Sequence, residues 1–254
     1  MSRSKVKNLL LLKQIHSAVT QIKKGKLDKA LETLDKAEKS ARQAKSTDAL
    51  YYILFTRGGI LYSAKEYDQA LETYERALEV GSELLKTDPE NADYQHYMGT
   101  TLSNTGNLLR KNGEIDRAAE SYSCARKIYS DLITKNPENA VFHSYAGENL
   151  NNYGSLLTES GYLDTACEIL NEAVETYEKL FNEKPENLGY QAELSVALSQ
   201  LGSCLKQQEP EKAEIAKTNL KRALKMQENL LAQQPENEKI KEAITLTRER
   251  LEGI

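Results

Sequence analysis

Apolar and small residues recur along this chain in steps of four and three. From Ala118 one series runs through Tyr122, Ala125 and Tyr129 to Leu132. From Ala166 another runs through Leu170, Ala173 and Tyr177 to Leu180. Such steps keep every member on one stripe of an α-helix, while polar residues cover the rest of its surface. The pattern predicts amphipathic helices packed against near-antiparallel neighbours. Ala, Leu, Glu and Lys dominate the chain, so local propensity favours helix almost throughout.

The stripes themselves recur. Asp88-Pro89-Glu90-Asn91 returns as Asn136-Pro137-Glu138-Asn139, as Lys184-Pro185-Glu186-Asn187 and as Gln234-Pro235-Glu236-Asn237, with the prolines 48, 48 and 50 residues apart. Each Pro ends a helix, because it has no amide hydrogen to donate and constrains the residue before it. The Asn, or its neighbour, can cap the next helix. Gly58, Gly106, Gly154 and Gly202 form a column spaced by 48, where two helices would cross closely. Ala70, Ala118, Ala166 and Ala216 form a second column, and Ala77, Ala125, Ala173 and Ala223 a third. Between the Gly and first Ala columns lie Lys65-Glu66, Asn112-Gly113 and Ser160-Gly161. Gly113 and Gly161 suit a left-handed helix cap. In the last unit this turn is lengthened around Gln207-Gln208-Glu209-Pro210. Gly81 occupies the column of Tyr129 and Tyr177, where it leaves room for a neighbouring ring.

These columns resemble the tetratricopeptide repeat, with its small residue in the first helix, its turn Gly, and two Ala and an aromatic in the second helix. The aromatic column is half kept, as Tyr74, Tyr122, Leu170 and Leu220. An earlier, degenerate unit carries Ala18, Gly25, Leu27, Ala30, Leu34 and Ala37. The family's period is about 34 residues. The longer one here adds about two turns, roughly 10 Å, to each helix. The resemblance implies an all-α fold, a right-handed α-α superhelix in a single domain. Its hairpins would run over about 2–45, 47–88, 91–136, 139–184 and 187–234, with a capping helix over 236–252.

In the family, ligands lie along the concave face lined by first helices. The positions opposite the Gly column are therefore the candidate peptide-binding residues. They include Tyr52, Phe55, Thr56 and Tyr62; Thr100, Ser103, Asn104, Asn107 and Arg110; Asn151 and Asn152; and Ser199 and Gln200. Thr56, Asn104, Asn152 and Gln200 stand 48 apart. A carboxamide both donates and accepts, so a row of them can hold the backbone of an extended chain. Tyr52, Phe55 and Tyr62 would either form an apolar pocket beside that row or pack under Ile15, Val19 and Ile22. Ser103, Val196 and Gln200 stand where relatives that hold chaperone tails carry cations, which argues against strong binding of such tails.

Charge narrows the partners. Asp and Glu number 38 against 34 Lys and Arg, a formal charge of -4. That balance lacks the basic stripe a nucleic acid would require. The Leu9–Leu12 run is too short for a membrane span or a signal-peptide core. Cys124, Cys167 and Cys204 share no metal-ligand spacing and fall on buried stripes, so reduced thiols in a soluble cytoplasmic protein are expected. His16, His96 and His143 have no second His at helical spacing, and no phosphate-cradling loop or nucleophile motif appears. The expectation is a scaffold without cofactor, metal or catalytic residues, monomeric or weakly dimeric, that binds a protein or peptide. A self-association module, using the apolar start Leu9–Leu12, is the alternative. An enzyme or small-ligand receptor is the third reading.

Overall fold

The computed structural model describes residues 3–208 and 210–252. Among them are eleven α-helices, a short 3-10 turn at Pro210–Lys212, and no strand. They pack as two compact units, residues 1–114 and 115–254. The first unit holds α1 (Arg3–Lys23), α2 (Leu27–Ala44), α3 (Thr47–Ser63), α4 (Tyr67–Thr87) and α5 (Ala92–Lys111). The second holds α6 (Ile115–Lys135), α7 (Ala140–Glu159), α8 (Leu163–Glu183), α9 (Leu188–Gln208), α10 (Ala213–Gln233) and α11 (Glu238–Glu252). The fold is that of a tetratricopeptide-like solenoid: α1/α2, α3/α4, α7/α8 and α9/α10 are hairpins, each stacked on the next within its unit. The side chains of Leu9–Leu12, expected to mediate self-association, lie outside the described residues, as does Glu209 of the lengthened turn.

Local chemistry sets the ends of these helices. The Asn of each Pro-Glu-Asn motif caps the helix that follows. Asn91 accepts from the Tyr94 amide at 3.1 Å, Asn139 from Val141 at 3.0 Å, Asn187 from Gly189 at 2.9 Å, and Asn237 from Ile240 at 3.4 Å. Each satisfies an amide that the first turn leaves without an intrahelical partner. Several of the turns between successive helices pass through one left-handed residue. Gly25, Gly113 and Gly161 have φ of 69°, 80° and 80°, and Lys65 takes the same conformation at 65°.

The columns of small residues mark close crossings. A Cβ on Gly58 would lie 2.5 Å from the Tyr74 ring, one on Gly154 2.5 Å from Leu170 Cγ, and one on Gly202 2.6 Å from Leu220 Cγ. Gly81 leaves room for a ring as expected, since its Cβ would meet Tyr51 at 2.9 Å. Gly147 is a further crossing, against Tyr177 at 2.6 Å, which no sequence column marked. The Ala columns are fully buried, and Tyr51, Tyr74, Tyr122, Tyr129 and Tyr177 fill the spaces between helices.

The cysteine expectation is corrected. Cys167 on α8 and Cys204 on α9 form a disulfide, with their Cα atoms 5.9 Å apart, and Cys124 is exposed. Stacking brings the neighbouring helices together, and a separation of 37 residues in sequence gives no hint of it.

Candidate functional site

In the first unit the candidate face is made by α3 and α5. Tyr52 and Phe55 are half-buried, and both meet the ring of Tyr97. Tyr52 lies edge-on to it at 5.0 Å and Phe55 at 5.5 Å. Ile15 and Ile22 join a core with Ala18, Leu34 and Ile53, while Phe55, with Leu31 of α2, packs against the cluster of Leu61, Ala70, Tyr74 and Leu108. Burial, with Tyr97 beside it, pushes the Tyr52 hydroxyl up to about 12. Tyr62 stands apart. It is 39% exposed and pairs with Tyr67, over whose ring Lys111 places its ammonium at 4.1 Å.

Asn104 is half-buried and donates to the Tyr74 hydroxyl at 3.2 Å, the ring that fills the notch at Gly58. Its amide is therefore partly committed to the core. Asn107 and Arg110 are half-buried and engaged within the protein. Thr100 and Ser103, expected on the open face, are buried. The Thr100 hydroxyl donates to the His96 carbonyl at 3.0 Å, the usual refuge of a Thr inside a helix.

In the second unit the face is made by α7 and α9. Asn152 is half-buried and has no hydrogen-bond partner among the described residues. Gln200 is half-buried too, and its Oε1 is closed off from solvent without a partner. Asn151 is corrected: only 4% of it is exposed, and both polar atoms of its amide are closed off and unpartnered. One residue turns a helix by about 100°, and this carries Asn151 from the direction of Asn152 onto the packed stripe of Gly147 and Gly154. Ser199 is also buried, because α11 covers that end of α9; its hydroxyl lies 2.9 Å from that of Thr247.

Two carboxylates flank this face. Glu148 on α7 and Glu193 on α9 reach solvent, yet crowding by the surrounding protein holds both above the ordinary carboxylate range. For Glu193 the charge of Glu148 adds to the effect. Beyond Gln200, a polar cavity of about 230 Å³ is lined by Ser155, Thr158, Glu159, Gln200, Ser203, Gln207 and Arg250. Arg250 belongs to α11 and was not among the sequence-derived candidates. Its place one turn after Thr247, beside the apolar stripe of that helix, was the available signal.

A larger cleft of about 1010 Å³ opens between α8, α9 and α10. Arg222 and Glu178 pair across it, so it reads as a solvated seam between second helices. Among the described residues no group of three or more His, Cys, Asp or Glu is placed to hold a metal, and no helix is long and apolar enough to cross a membrane.

Residues 51–80, which span the α3/α4 hairpin, match the family model described as tetratricopeptide repeat. No curated protein matches the sequence. Among solved structures, BtubC (BKLC) from P. vanneervenii is similar over 86% of this chain and 80% of its own, at 21% identity and a TM-score of 0.68. A putative kinesin light chain from Podosopora anserina, with nearly identical TPR-like repeats, aligns over 85% of this chain and 94% of its own, at 19% identity and a TM-score of 0.57. The apo form of RapI aligns over 93% and 81%, at 14% identity and a TM-score of 0.61. Identities this low show a shared fold.

Proposed function

We propose that this tetratricopeptide-repeat protein is an interaction scaffold that holds a segment of another protein along the exposed faces of its first helices. The observation that carries the reading is the state of Asn152 and Gln200. At equivalent positions of α7 and α9 stand two half-buried carboxamides: Asn152 keeps contact with solvent, and the Oε1 of Gln200 is buried without a partner among the described residues. Leaving a buried polar atom unpaired costs roughly 1–3 kcal/mol. A peptide backbone offers the matching acceptor and donor in one group. Binding of an extended segment there would pair the Asn152 amide and, with a turn of the Gln200 side chain, the oxygen that the fold leaves unpaired, with little demand on the segment's side chains.

The aromatic cluster of the first unit offers a face of different chemistry. Tyr52 and Phe55 present ring edges beside Tyr97 without being fully buried. Half-exposed rings of this kind are common centres of binding energy. They favour an apolar side chain of a partner.

A peptide selected from a random display library against the folded protein tests the location. With the bound peptide unlabelled and the protein isotopically labelled, cross-saturation transfer should mark residues of α7 and α9 around Asn152 and Gln200. Transfer confined to the outer surfaces of α8 and α10 would overturn the reading.

A further inference from the structure

We propose that the polar cavity between α7, α9 and α11 is a binding site for a carboxylate, with Arg250 of the capping helix as its cation. The inference deepens the scaffold reading, because Gln200 belongs to both, and it assigns a charge to one end of the bound segment.

The first observation is a missing counter-ion. The guanidiniums of Arg42, Arg57, Arg76, Arg126, Arg222 and Arg248 each lie against a carboxylate. Among the described residues that of Arg250 meets no carboxylate, although it is half-buried. The one hydrogen bond of its guanidinium to a described residue runs from Nη1 to the Ser199 hydroxyl at 2.8 Å, out of five donors. Removing a guanidinium from water without an opposing charge is unfavourable, and a bound anion offsets that cost.

The second observation is that the cation is held in place. Ser199, which receives Nη1, is itself fixed by the Thr247 hydroxyl at 2.9 Å, and both residues are buried. Lys206 donates to the Arg250 backbone carbonyl at 3.0 Å. That contact ties the end of α11 to α9 and adds a second positive charge nearby. A planar, positioned fork suits a two-oxygen anion. The cavity adds the hydroxyl of Ser203 and the amide nitrogen of Gln200, with space for a carboxylate on a short stem.

The third observation selects among anions. Glu159 lies exposed at the rim, engaged within the protein, and gives the cavity an acidic side opposite its cation. A doubly charged phosphate feels the repulsion of Glu159 and the attraction of Arg250 and Lys206 alike doubled, so charge alone does not select between anions. Shape does: the planar fork of Arg250 matches the two coplanar oxygens of a carboxylate. The site also differs from a clamp built on the repeats themselves, since Ser103, Val196 and Gln200 leave those positions without cations.

The test uses the full chain with the Arg250 side-chain Nε–H observed by NMR, and four probes: acetyl-glycyl-glycine, its C-terminal amide, N-acetylaspartate amide and inorganic phosphate. Acetyl-glycyl-glycine or N-acetylaspartate amide should shift the Arg250 signal saturably, and the tighter of the two identifies a chain terminus or an acidic side chain as the natural source. The neutral amide should have no effect, and phosphate should bind more weakly. Arg250→Gln should weaken carboxylate binding by about tenfold or more, Arg250→Lys by less, and Glu159→Gln should tighten it roughly threefold. Circular dichroism establishes that each variant folds. The proposal is overturned if neither carboxylate binds, if the neutral amide binds as well, or if Glu159→Gln weakens binding. Asn152 does not line the cavity, so Asn152→Ala should leave these shifts unchanged. Loss of peptide binding in Asn152→Ala with intact carboxylate binding, or the reverse, separates failure of the scaffold reading from failure of this one.

Discussion

At position 154 a single hydrogen decides how closely α7 and α8 approach. A methyl there would stand 2.5 Å from Leu170 Cγ, well inside contact distance, and the Leu stem cannot swing away as a chain end could. Gly154→Ala gains about 1 kcal/mol in helix propensity but forces the crossing apart, at about 1–3 kcal/mol. The net expectation is a loss of up to about 2 kcal/mol, read as a lower urea midpoint; a higher midpoint would contradict the close-crossing account. Such positions were readable from sequence because they repeat: Gly58, Gly154 and Gly202 share a spacing and share a role. Gly147 has no counterpart in the column and was missed, although it meets Tyr177 just as closely. Asn151 was misassigned for a related reason. Its residue type suited a binding face, and only the packing revealed that a step of about 100° had turned it inward.

Between elements, the stacking of α7 on α9 creates effects no single helix shows. Glu148 and Glu193 lie 45 residues apart in sequence, yet burial holds both carboxyls above the ordinary value, near 4.5, of the unfolded chain, and the charge of Glu148 adds to the rise at Glu193. The folded state thus binds more protons than the unfolded state in the window above 4.5, so stability falls as pH rises through that window. Glu148→Gln removes one charge and relieves the other. It should raise the melting temperature at neutral pH and lose that advantage below pH 4.5, where both states are protonated. An equal gain at both pH values would point to a packing effect instead. The same stacking joins Cys167 to Cys204, and it sets α11 against α9 so that Arg250 reaches the polar cavity. Sequence periodicity defines where helices begin and which stripe they bury. It is silent on which exposed groups of two neighbours meet.

For the whole molecule, the helical hairpins follow directly from the recurring Pro-Glu-Asn and Ala columns. The family match at residues 51–80 and the solved solenoids of similar fold agree with that derivation. Function was less readable, because a fold of this kind supports many partners and names none. What the side chains add is a distribution of chemistry within each unit: half-exposed rings on α3 beside Tyr97, and half-buried amides on α7 and α9 with charged groups at either end. The claim that these amides grip a backbone has a direct test. The affinity of a display-selected peptide should be measured by titration calorimetry for the native chain and for the Asn152→Ala/Gln200→Ala variant, with folding of both established. Two lost hydrogen bonds at about 1 kcal/mol each predict roughly a tenfold or greater loss of affinity. Equal affinity in the two proteins would contradict the account.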